Sequence, residues 1–200
     1  MKTNTQKTDR LPMNCPQSET PASLYRFLAQ SFRYPEQAWL TEPYFDLLGN
    51  IKQNLALNSD ATGLHWNYNA ESDGLELLQI EYTRLFINAA PAVIAPPYSS
   101  IYLDHEGNLY GQSAVWVKQF YQLHGFDVEG EGDIPDHLVL ELEFLALLIE
   151  EQQGDKAEQF LNEHFRRWFP LFRERVLSGS TNQFYSTLLT LVDFFTREEP

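Results

Sequence analysis

Two short stretches carry the chemistry-bearing residues of this chain. The first is Pro96-Pro97-Tyr98-Ser99-Ser100-Ile101-Tyr102-Leu103-Asp104, and the second is Ile134-Pro135-Asp136-His137-Leu138, followed by Glu141 and Glu143. Together they offer ring faces, hydroxyls, carboxylates and one imidazole. His137 and Glu141 are four apart, which on a helix puts them on one face. Such a pair could begin a metal site. A carboxylate-bridged bundle, however, repeats a Glu-x-x-His motif on two helices, and only one partial set of different spacing stands here. Ser99 and Ser100 lie in no Gly-x-Ser-x-Gly context, and Cys15 sits in a polar N-terminal stretch. No Gly-x-x-x-x-Gly-Lys run is present to cradle a phosphate. Rings, hydroxyls and carboxylates without a nucleophile and its base suit holding a peptide better than cutting one.

Those stretches need elements to hold them, and the apolar periodicity supplies helices throughout. Residues 1–20 are polar and are expected to be a disordered tail, with residues 21–200 forming one helical domain. Thr20-Pro21 is an N-cap followed by proline at the first helical position, and Leu24, Phe27, Leu28 and Phe32 continue the pattern over 21–33. Tyr34-Pro35 ends it. Further helices are expected over 36–58 (broken near Pro43), 71–86, 112–124, from Asp133 to about Gln153, 155–178 and 181–197. Leu75, Leu78, Tyr82, Leu85 and Phe86 form the inner stripe of the third of these. The helix after Asp133 is apolar nearly all round and so should be central, with Asp136 in its first turn facing the positive end of the dipole. Pro170 is a candidate kink. The segment 87–110 is long for a structureless connection, and long loops are more often functional. Residues 125–133 carry three glycines and four acids and read as a mobile hinge. No strand pattern competes, so the expected fold is all-α: a helical bundle with one long ordered loop and a flexible acidic hinge.

Charge excludes some partners. The 200 residues hold 14 basic and 28 acidic side chains, a formal net charge of −14. That opposes nucleic acid and anionic membranes and favours cationic partners. Between Lys118 and Lys156 there are ten acids and no base. Arg166, Arg167, Arg173 and Arg175 on the following helix neutralise part of this. The remainder leaves an acidic patch beside the Asp136-His137 stretch. One cysteine, no secretory leader pattern and no long apolar run lead to the expectation of a cytoplasmic protein without membrane insertion. No metal or other cofactor is expected.

Glu81-Tyr82-Thr83-Arg84-Leu85-Phe86, Pro96-Pro97-Tyr98-Ser99-Ser100-Ile101-Tyr102 and Pro135-Asp136-His137-Leu138 with Glu141-Leu142-Glu143-Phe144, in that order, resemble the TorD/DmsD family. These are NarJ-related cytoplasmic chaperones for molybdenum-containing redox enzymes. The resemblance implies an all-α chaperone that binds the twin-arginine leader of an apo-enzyme and delays export until the cofactor is inserted. It implies a peptide-binding set of Pro97, Tyr98, Ser100, Tyr102, Asp104, Asp136, His137 and Glu141, and no catalytic residue. Tyr98 and Tyr102 stand where tryptophans are common in the family, and Ala90 where another can occur, so the client is left open. Two other readings are a metal-dependent enzyme using His137 and nearby carboxylates, and a helical adaptor docking a folded partner through Tyr98 and Tyr102. The chain is expected to be a monomer that can form a dimer by exchanging helices about the 125–133 hinge.

Overall fold

The computed structural model describes residues 20–55, 72–90, 92–104, 109–128, 134–180 and 182–198. Most of the expected N-terminal tail with Cys15, residues 56–71 and residues 129–133 of the expected hinge lie outside these. The described residues are helical, with no strand among them.

Helix α1 spans Pro21–Ser31. Thr20 accepts from the Ser23 backbone N–H and Ser23 returns a bond to Thr20, a capping box with proline just inside it. Helix α2 is Glu42–Asn54, shorter than the 36–58 expectation. Pro43 starts this helix rather than breaking it, because a proline in the first turn gives up an N–H that has no partner anyway. Helix α3, Ser72–Tyr82, runs into a π-helical turn at Thr83–Ile87 that buries Leu85 and Phe86. The 87–110 connection is not wholly irregular: Ser100–Leu103 forms one helical turn, α4. Helix α5 is Gln112–Leu123.

Helix α6 is Leu138–Glu150, and its start corrects the sequence reading. His137, not Asp133, is the N-cap, with its Nδ1 accepting from the Val139 N–H. Asp136 therefore precedes the helix instead of lying in its first turn. The local competition favours His137 because Leu138 N–H is taken by the Pro97 carbonyl at 2.9 Å, which fixes the chain in extended geometry just before the helix. Helix α7 (Gly154–Phe160), a π turn (Leu161–Phe165) and α8 (Arg166–Gly179) follow one another without a break in the chain. Pro170 sits inside α8. Helix α9 is Gln183–Thr196, capped by Asn182.

Helix α6 is central, as its composition requires. Leu138, Leu142, Leu145 and Leu148 are fully buried, and α1 is its main partner. Trp168, Phe165, Phe172 and Tyr185 complete the core from α8, the preceding π turn and α9. No helix among the described residues is long and apolar enough to cross a membrane.

Candidate functional site

The two chemistry-bearing stretches meet. Tyr98 and His137 form an isolated antiparallel bridge, with Ser99 N–H donating to the Asp136 carbonyl at 3.0 Å and Leu138 N–H to the Pro97 carbonyl. Proline suits this seam: Pro97 presents a carbonyl and has no N–H to satisfy. The Asp136 side chain is wholly buried and ties the seam again, accepting from Ser100 N–H at 2.7 Å and Ser99 Oγ at 3.2 Å. From below, Tyr121 donates its hydroxyl to the Pro135 carbonyl at 3.1 Å.

The seam forms one wall of a groove of about 910 Å³. Its other walls are the end of α1 with the turn after it (Arg33, Tyr34, Trp39) and one face of α6 (Val139, Glu143, Leu147). Tyr82 lies in the floor, donating to the Phe32 carbonyl at 3.2 Å, with the Tyr34 ring edge-on at 5.4 Å. Trp39 Nε1–H donates to the Tyr34 carbonyl, which holds the turn in shape. Phe126 and Val128 close the far side. The groove is thus aromatic in its floor. Its charged lining is three carboxylates (Glu36, Asp127, Glu143) against one guanidinium, Arg33, which bonds Glu143 at 2.6 Å.

His137 faces this groove with its ring edge-to-face on Tyr98 at 4.8 Å. Burial, reinforced by the nearby Arg33 charge, pushes its pKa down to about 4, so the imidazole is neutral at pH 7. Its Nδ1 is occupied as the cap acceptor, which leaves Nε2 to carry the proton.

Of the eight residues expected to bind peptide, the groove lining includes Tyr98 and His137. The other six have different surroundings. Pro97, Ser100 and Asp136 build the seam behind the lining. Asp104 accepts from the Ser113 N–H and hydroxyl at the start of α5. Tyr102 packs on Trp168 and Phe172, with the Arg175 guanidinium 4.7 Å over its ring, and burial raises its pKa. Glu141 is fully buried on the opposite face of α6, accepting from Trp168 Nε1–H at 2.9 Å and lying 2.8 Å from His164 Nε2. Burial raises its pKa to about 6 against the opposing pull of His164. His137 and Glu141 thus do not share a helix face, since His137 is extended and outside the helix. Among the described residues no group of three or more His, Cys, Asp or Glu side chains is placed to hold a metal ion.

Sequence reasoning passed over Arg33, Tyr34 and Trp39. Tyr34-Pro35 served only as a helix stop, although Phe32, Tyr34 and Trp39 put three aromatic rings within eight residues. That density in a turn was the available signal.

The fold and site together are those of an all-α protein whose proline-rich seam and central helix frame an aromatic, acid-rimmed groove. The chain belongs to the nitrate reductase delta subunit family, whose sequence model matches residues 42–174. It is 32% identical over 114 residues to the Tat proofreading chaperone DmsD of Salmonella typhi, covering 56% of this chain and 55% of that protein. It is 32% identical over 117 residues to the chaperone protein TorD of Vibrio cholerae, covering 52% and 53% respectively. The matches therefore span about half the length of these relatives. A crystal structure from Archaeoglobus fulgidus, described as a candidate redox enzyme maturation protein, superposes with a TM-score of 0.58 at 29% identity, covering 90% of this chain and 96% of that one. The resemblance carried by the three ordered motifs is thereby borne out, as is the all-α fold.

Proposed function

We propose that this protein is a redox-enzyme maturation chaperone whose groove receives the twin-arginine leader of a molybdenum-cofactor oxidoreductase. It holds the leader in the cytoplasm until the cofactor is inserted and so delays export, without chemical turnover. In this reading the working unit is one chain, and a dimer arises by helix exchange about residues 125–133. The observation that carries the reading is the aromatic groove with its acidic rim, found in a chain of this family.

A twin-arginine leader has a cationic start and an apolar centre, and the groove offers a surface for each. An apolar segment lying in a groove gains chiefly from burial. Burying about 500 Å² of apolar surface yields roughly 12 kcal/mol gross. Association costs on the order of 4–15 kcal/mol, which leaves an affinity of micromolar or weaker. The carboxylates add orientation, association rate and salt dependence more than affinity. Tyr98 and His137 make the direct contacts at the seam, His137 as a neutral Nε2–H donor. Pro97, Ser100 and Asp136 act by holding those two in place.

Titration calorimetry of the protein with the leader peptides of exported molybdoenzymes from the same genome tests this. Binding to at least one leader, weakened by salt and by Tyr98→Ala, is expected. Failure of the folded protein to bind any of them overturns the reading.

A further inference from the structure

Arg33 is the one guanidinium among the described groove-lining residues, and its ion pair is made differently from that of Arg26. Its Nη2 donates to Glu143 Oε1 at 2.6 Å, one nitrogen on one oxygen. Arg26, on α1, instead grips Glu150 through both Nε and Nη2, at 2.9 and 2.6 Å. The Arg33–Glu143 pair thus uses half of what a guanidinium and a carboxylate can exchange. Both side chains remain accessible, 47% exposed for Arg33 and 32% for Glu143, so the pair is easily opened. Glu143 lies one turn beyond Val139 on the α6 face that lines the groove, beside Phe144 and Leu147. Across the turn, Glu36 also lines the groove and is exposed, within the same segment as Arg33.

We propose that Arg33 is an internal stand-in for a client arginine: it occupies Glu143 while the groove is empty and yields that carboxylate to an incoming guanidinium. The inference rests on the leader-binding reading above and adds the subsite within it. Glu143 takes one arginine of the twin pair through both carboxylate oxygens, a geometry that a lysine cannot reproduce. The displaced Arg33 swings towards Glu36 or into solvent. The exchange keeps Glu143 paired when no client is present, and it opposes binding of any segment that cannot replace the guanidinium. Arg33 thus sets specificity by competition, a repulsive element against the wrong cation rather than an added attraction for the right one.

Calorimetry on the full-length protein decides this. The probes are a synthetic peptide with two adjacent arginines ahead of a Leu/Ala-rich stretch, and its twin-lysine counterpart. The variants are Arg33→Gln, Glu143→Gln and both together, each checked for unchanged helicity. Arg33→Gln is expected to bind the twin-arginine peptide about two- to fivefold more tightly, the range of an exposed ion pair. Glu143→Gln is expected to bind it more weakly by a similar factor. In the double variant the gain from Arg33→Gln disappears, because the carboxylate it competes for is gone. Preference for arginine over lysine shrinks in Glu143→Gln. An Arg33→Gln variant that binds no better than wild type, or that gains equally in the Glu143→Gln background, overturns the stand-in while leaving leader binding intact. A folded wild-type protein that binds neither peptide, nor any natural leader, overturns the leader-binding reading and the stand-in with it.

Discussion

Asp136 sits behind the groove, and removing it tests whether the site is built or merely lined. In Asp136→Ala the Ser100 N–H, now bonded at 2.7 Å to a fully buried carboxylate, loses its acceptor away from water. An unsatisfied buried N–H costs about 1–3 kcal/mol, and the bond from Ser99 Oγ at 3.2 Å adds roughly 1 kcal/mol. Relief from burying a carboxylate, whose Oδ1 has no hydrogen-bond partner among the described residues, offsets part of this. The net expectation is a loss of about 2–3 kcal/mol, or roughly 4–12 °C in Tm for a chain of this size. Asp136→Asn keeps an oxygen for Ser100 and should lose only about 1 kcal/mol. Leader affinity should fall in step with stability, because the seam that aligns Tyr98 with His137 loosens. Urea unfolding followed by circular dichroism, paired with calorimetry of a leader peptide, measures both. If Asp136→Ala abolished binding at unchanged stability, the carboxylate would be touching the ligand itself and the positioning argument would be refuted.

Glu141→Ala leaves Trp168 Nε1–H and His164 without their shared partner in the core, and a loss of about 3–5 kcal/mol is expected by denaturant unfolding. His137 sets a pH dependence of known sign: its folded pKa of about 4 lies below the ordinary 6.5, so the unfolded chain binds the extra proton. Its contribution is complete above pH 6.5 and is lost as pH falls towards 4, by up to ~3 kcal/mol. His137→Ser keeps a capping oxygen and removes the titration, so the wild-type advantage at pH 7 should shrink or reverse at pH 4.5. Stability curves of the two proteins across that range check it, and parallel curves would contradict it.

The fold was legible because helix signals are local. Thr20-Pro21, the Leu and Phe spacings and the nearly unbroken apolar run after Leu138 each specify an element without reference to the rest. The two stretches singled out by residue type do meet at the Tyr98–His137 bridge. What was not legible was orientation. Asp136 was expected in the first turn of the helix and Glu141 on one face with His137, yet each is wholly buried with donors supplied from remote segments: Ser99 and Ser100 for one, His164 and Trp168 for the other. The cap at His137 depends on a hydrogen bond from Leu138 to Pro97, forty-one positions away, which no local pattern encodes. Arg33 and Trp39 were missed although the aromatic density of their turn was there to be read, because the groove they line exists only where α1, the seam and α6 come together.

Hydrogen exchange of the protein with and without a saturating leader peptide tests most directly where the client sits. Protection confined to residues 30–39, 97–98, 126–128 and 134–147 is the result predicted by the groove. Protection instead over the exposed apolar positions of α3 (Leu77, Ile80) or of α5 (Val115, Leu123), with the groove unchanged, would contradict it.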